Sequence, residues 1–257
     1  MADLSLFQYV LIGLIFVWSG FVRSGLGFGG AVLSLPFLLL VVNDPLIFLP
    51  LIAVHLLVFS SLTIVVNTRG PKAASRPEGG TVDWPYLRRI LGIMIVPKLI
   101  GVFGLLTLPA NIMSAIIFGI VSLYAVSYIL NRPFRSNSKV VDTIFLMLGG
   151  YISGTSLIGA PLIIAVVAQH LPKEKLRDTL FALWFILVTI KMAAFIYADV
   201  DLQLIHHLWL LPCAAIGHII GLRFHEKMLT AETPVFFRLL GCVLLLISCV
   251  GLWKGLA

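Results

Sequence analysis

Three basic side chains stand where a basic side chain is costly. Lys98 falls near the middle of an apolar run over 86–107, Lys191 slightly past the middle of another over 178–198, and Arg23 beside the glycine-rich stretch 24–30. A cation at the centre of a bilayer is unfavourable by a few kcal/mol on insertion scales, and it almost always faces a partner or a water-filled path. Asp3, Asp44, Asp142, Glu174, Asp178, Asp199 and Asp201 all fall at or beyond the ends of the apolar runs. No carboxylate is therefore placed to neutralise these cations, and a set without fixed counter-charge calls for an anion that comes and goes. The bland alternative is that Lys98 and Lys191 snorkel or bond backbone carbonyls, and that Arg23 clamps the carbonyls of the break beside it.

Neutral donors accompany the charges. Ser153, Thr155 and Ser156, with Ser60, Ser61 and Thr63, are suited to oxyanion oxygens, although hydroxyls in apolar segments also bond back to their own helix. His55 and His218 lie in apolar runs and could exchange protons near neutral pH, or serve as neutral histidines bonded within the bundle. Two breaks, Ser24-Gly25-Leu26-Gly27-Phe28-Gly29-Gly30 and Ser153-Gly154-Thr155-Ser156-Leu157-Ile158-Gly159, are each followed by a proline, Pro36 or Pro161. Helices restarting at Gly29-Gly30 and at Gly159-Ala160 would aim N-terminal amides at a shared central cavity, and glycine would let a ligand approach closely. Such a site prefers an anion.

Composition says what must position these residues. Of 257 residues, 60% are hydrophobic and 11% charged, against about 25% charged in a soluble domain. That cannot coat a globule with polar surface, so each long apolar run is a candidate membrane span. The first begins at Leu4 with no basic residue before it, unlike a secretory signal, and is expected to be retained. The net charge of +7 gathers in a few loops and reports topology rather than nucleic-acid binding. The three cysteines, Cys213, Cys242 and Cys249, show no CxxC spacing, so neither a disulfide framework nor a metal site is indicated, and no cofactor is expected.

The apolar runs lie near 5–22, 30–42, 46–66, 86–107, 111–130, 140–153, 160–171, 178–198, 204–222 and 234–253. Loops 67–89 (Arg69, Lys72, Arg76, Arg88, Arg89), 131–142 (Arg132, Arg135, Lys139) and 223–233 (Arg223, Lys227) are basic and are expected in the cytoplasm. The turns at Asn43-Asp44-Pro45, Leu108-Pro109-Ala110 and Asp199-Val200-Asp201 carry no Lys or Arg and are expected outside. Because 172–178 is basic too, 140–171 must enter from the cytoplasm and return to it; by the same logic 5–42 enters from outside and returns there. Sliding the second half over the first until Ser153-Gly154 falls on Ser24-Gly25 also sets Gly159-Ala160 on Gly30-Ala31 and the Pro172 turn on the Asn43 turn. Gly101-x-x-Gly104 answers Gly217-x-x-x-Gly221, small-residue spacings that let helices pack closely.

The expected architecture is therefore all-α and integral to the membrane, with about 8–10 membrane segments in an inverted-topology repeat. The first repeat, 1–131, comprises hairpin 5–42 and spans 46–66, 86–107 and 111–130. The second, 132–257, comprises hairpin 140–171 and spans 178–198, 204–222 and 234–253. The plan predicts a multi-pass protein of the cytoplasmic membrane with both termini outside.

Gly25-Leu26-Gly27-Phe28-Gly29-Gly30-Ala31 followed by Pro36 resembles the glycine motif that opens each half of the sulfite exporter TauE/SafE family, also called the toluene sulfonate uptake permeases. The family's run usually ends in a third consecutive glycine where this chain has Ala31, and the second copy, Gly154-Thr155-Ser156-Leu157-Ile158-Gly159-Ala160-Pro161, departs further. The resemblance implies a secondary carrier of sulfite or an organosulfonate such as sulfoacetate. Its partners would be a small anion and membrane lipid. A coupling proton or sodium ion and a homo-oligomer are left open.

Two other readings stand beside it. A passive anion channel also uses rings of Lys or Arg. Ser156 at a hairpin tip, with His218 on a later span, resembles the Ser/His dyad of rhomboid intramembrane proteases, but Leu157 stands where Gly or Ala follows the rhomboid serine, and a protease needs neither Arg23 nor Lys98. No GxxxxGK[ST] motif exists to drive an ATP pump. An enzyme is not expected.

Overall fold

The computed structural model describes residues 4–26, 29–69, 81–132, 134–230 and 234–256. These form ten α-helices and no strand: α1 (Leu6–Leu26), α2 (Leu35–Val41), α3 (Pro45–Arg69), α4 (Trp84–Thr107), α5 (Ala110–Ile129), α6 (Lys139–Ser156), α7 (Ala160–His170), α8 (Lys173–Tyr197), α9 (Leu204–Thr230) and α10 (Pro234–Leu256). In lipid every backbone amide and carbonyl must be satisfied within the protein, and a helix does so segment by segment. Among the described residues, six stretches are long and apolar enough to cross a membrane: Leu6–Gly25, Pro45–Leu62, Trp84–Thr107, Ala110–Ile129, Glu174–Tyr197 and Leu204–Phe224. Phe7, Phe103, Leu123, Leu204, Leu208 and Trp253 stand mostly exposed on the helices, as lipid-facing side chains do. With 11 residues, α7 reaches only about 16 Å, half of a hydrocarbon core of about 30 Å.

Three boundaries differ from the sequence expectation. The charged stretch Lys173–Asp178 opens α8 instead of forming a loop, and α9 runs on through Arg223 and Lys227 to Thr230. Both extensions are polar turns continuing an apolar helix, which hydropathy alone ends too early. The third concerns the first break. Helix does not resume at Gly29-Gly30: α1 continues through Arg23 and Ser24 to Leu26, a turn occupies 30–34, and α2 starts at Leu35 with only 7 residues. So short a helix offers no N-terminal anion site, and the expected restart at Gly29-Gly30 is withdrawn. Gly27 lies outside the described residues, as do Lys72 and Arg76.

The chain divides into two compact units. One holds Met1–Leu51, Gly104–Phe134 and Val200–Ala257; the other holds Ile52–Phe103 and Arg135–Asp199. In the first unit, α1 packs on α9, α5 on α10, and α2 against both α1 and α10. A Cβ on Gly217 or Gly221 would collide with the carbonyl oxygen of Val17 or Phe21, and one on Gly20 would collide with that of Ala214. Because residue numbers rise together on the two helices, α1 and α9 run parallel. Along α10 the order reverses, Gly241 meeting Ala125 and Gly251 meeting Phe118, so α5 and α10 are antiparallel.

In the second unit, Leu87, Met94, Leu146, Ile163, Leu183 and Leu187 form the core, drawn from α4, α6, α7 and α8. Here α4 and α6 make the glycine crossing. Gly101 abuts the Tyr151 carbonyl, and Gly154 abuts that of Lys98. The pattern matches the other unit atom for atom. Gly217 meets Val17 O and Phe21 N, as Gly101 meets Tyr151 O and Thr155 N; Gly20 meets Ala214 O and His218 N, as Gly154 meets Lys98 O and Val102 N. These helices are parallel too. In its contacts with a facing helix Gly154 thus resembles Gly20.

Candidate anion site

The break between α6 and α7 is tight. Leu157 caps α6 in the left-handed region (φ 61°), with its amide donating to Ser153 O at 3.3 Å, and α7 begins at Ala160 after the N-cap Gly159. A Cβ on Gly159 would strike the carbonyl oxygen of Gly149, so only glycine lets the chain double back here. The expected restart at Gly159-Ala160 is found.

Lys98 is fully buried, and its ammonium donates to Ser153 Oγ at 3.1 Å and to Ser153 O at 3.4 Å. Ser153 sits in the last turn of α6, so Lys98 also meets the negative end of that helix dipole. Lys98 thus does what the bland reading foresaw: it bonds a backbone carbonyl. Lys191 does not. Its Nζ is fully buried in α8 and has no hydrogen-bond partner among the described residues. Its nearest consolation is the ring of Phe195, one turn on, with Nζ 5.7 Å from the centroid. The like charge of Lys98 acts on Lys191 as well.

Thr155 and Ser156 are also buried, but each hydroxyl donates to Ile152 O at 3.0 Å. Their protons are committed to their own helix, so they shape the break more than they donate to a guest. His55, buried on α3, stacks on Phe59 with centroids 6.5 Å apart.

The remaining predicted residues belong to the other unit. Arg23 is buried in the last turn of α1. Gly29 adopts φ +85°, and Gly30 packs closely against the Arg23 Cβ and the Ser19 carbonyl. The Gly30 carbonyl accepts from Ser34 Oγ at 2.6 Å and from Ser19 Oγ at 3.4 Å, and Trp18 Nε1 donates to Leu33 O at 3.1 Å. His218 Nδ1 is bonded to Ser24 Oγ.

Sequence reasoning missed several of these partners. The i, i+4 spacing of Lys191 and Phe195 was a usable signal; the Ser24–His218 bond, across 194 residues, had none. Nor did it foresee the clip at the open end of the second hairpin, where His170 Nε2 meets Asp142 Oδ2 at 2.8 Å.

Long apolar helices, lipid-facing side chains and a helix broken among buried cations define a multi-pass integral membrane protein. A family model described as Sulfite exporter TauE/SafE matches residues 11–251, nearly the whole chain, and the protein belongs to that family. It is accordingly a membrane transporter of a small anion, not an enzyme. No curated protein and no solved structure matches the chain.

Proposed function

We propose that this transporter carries sulfite or an organosulfonate such as sulfoacetate across the cytoplasmic membrane by alternating access, and that Lys191 is the cation the anion meets. The observation that carries the reading is the Lys191 side-chain amine, fully buried and without a hydrogen-bond partner among the described residues. A buried charge left in that state is strongly unfavourable, and an oxyanion relieves it. Lys98, anchored on Ser153, holds the second positive charge in place, while Gly159 and His55 belong to the same unit. Separately packed units support alternating access, which needs bodies that move as wholes, and the repeated glycine crossing supports an inverted repeat with halves 1–131 and 132–257.

The test is ligand-dependent thermal stabilisation of purified protein, with sulfite, sulfate, sulfoacetate, taurine and a carboxylate control. Sulfite or sulfoacetate should stabilise. Taurine should not, since its ammonium group is repelled by the two lysines. Lys191→Met should weaken the stabilising ligand at least tenfold, about 1.4 kcal/mol. Wild-type affinity in both Lys191→Met and Lys98→Met would remove the lysines from the site.

A further inference from the structure

Two lysine amines, Lys98 and Lys191, are fully buried within one compact unit, and their surroundings are unequal. Lys98 has a hydroxyl, a carbonyl and a helix C-terminus to hold its proton. Lys191 has an aromatic ring and a like charge. Asp178 is on α8 itself, about 20 Å along the helix from Lys191 at 1.5 Å per residue. Asp142 and His170 pair with one another at the open end of the α6–α7 hairpin, and Asp83, ahead of α4, faces Lys175 at 3.9 Å. Tyr151 is on α6, and His55 on α3 stacks against Phe59.

Resting on the anion reading above, we infer that Lys191 is the seat of a co-transported proton: empty, it is a neutral amine, and the anion and one proton bind together. The step balances simply. The amine lone pair takes a proton from hydronium, whose O–H bond breaks to leave water, and the ammonium so formed faces the anion whose negative charge offsets it. A monoanion then enters the site with no net charge added. Lys98 keeps its proton throughout, and Phe195 holds the Lys191 head group in place in either form.

The experiment uses full-length protein in weakly buffered detergent with a pH indicator and sulfoacetate as the probe. Both acid groups of sulfoacetate are ionised near neutral pH, so any proton consumed goes to the protein. Binding should take up about one proton per anion, and affinity should fall as pH rises, approaching tenfold per unit, because the ammonium rather than the amine is what the anion requires. Lys191→Arg keeps a permanent cation and should bind without proton uptake and with a flat pH profile. Lys191→Met should bind at least tenfold more weakly, again without uptake, which covers the case in which arginine cannot be accommodated. Sulfoacetate binding by wild type with no proton uptake would overturn this inference and leave the anion reading standing. Undiminished uptake in either variant would move the proton to another group. Failure of every one of the five ligands to bind wild type would overturn both.

Discussion

Gly217 of α9 lies directly on the Val17 carbonyl of α1, backbone against backbone, with no room for even a methyl group. Gly101 of α4 repeats the relationship with Tyr151 of α6. Close approach of this kind is how helices gain packing energy in lipid, where hydrophobic burial between helices contributes little.

Gly217→Ala and Gly101→Ala should therefore each lower stability by about 1–3 kcal/mol, the usual range for overpacking, since the obstructing atoms are backbone and cannot swing aside. Gly92→Ala, on the same helix as Gly101 but facing open space, should be neutral or gain up to about 1 kcal/mol from helix propensity. Thermal unfolding of the three variants in detergent decides this. Equal melting temperatures for all three would show that the crossings are not tight.

The two lysines should part company in stability. Lys191→Met removes a buried amine that has no hydrogen-bond partner among the described residues and should hold or raise the melting temperature. Lys98→Met gives up two hydrogen bonds to Ser153 and a helix-end interaction, and should cost roughly 1–3 kcal/mol of stability and lower the melting temperature. A ligand-free melting series measures both, and a larger loss for Lys191 would contradict its lack of a partner.

Parallel helices enter a membrane from the same face. On a cysteine-free background, labels at Ser5, ahead of α1, and at Asp201, ahead of α9, should thus share one accessibility, and with Asp44 they should react with an impermeant external reagent. A label at Arg135 should react only after permeabilisation. Inverting the whole pattern would turn the molecule over; Ser5 and Asp201 on opposite sides would break the parallel pair itself.

Ser24 and His218 should be energetically coupled. Loss of either leaves a polar group of the α1–α9 seam short of a partner, which costs about 1–3 kcal/mol. In a double-mutant cycle of Ser24→Ala and His218→Ala, the second change should cost much less than the first, with a coupling of about 0.5–3 kcal/mol. Strict additivity would mean that the bond contributes nothing.

Much of this was legible in the sequence, and the reasons it stopped are physical. Hydropathy located the spans, because lipid imposes one rule on every residue; it lost the ends of α8 and α9, where polar turns extend an apolar helix. The break at Gly159 was readable because Gly159 and Pro161 interrupt a helix locally. The shape of the first break was not, since Trp18, Ser19 and Ser34 close it by bonds to backbone carbonyls that leave no local pattern. Gly101 and Gly217 announced close contacts without naming partners, because partner choice belongs to the fold as a whole. The same limit hid the difference between Lys98 and Lys191. Both read as buried cations, and only the position of Ser153 separates them.

The pairing of α1 with α9 also has a consequence for how the protein is made. Roughly 200 residues separate Gly20 from Gly217, and at the ribosome's pace of about 5–20 residues per second the first helix waits some 10–40 seconds for its partner. During that interval Arg23 and Ser24 sit at the membrane before His218 has been synthesised. Docking of the ninth helix onto the first is then a late step of biogenesis, and a chain interrupted before α9 would present the quality-control machinery with an inserted first helix that bears an arginine and lacks α9.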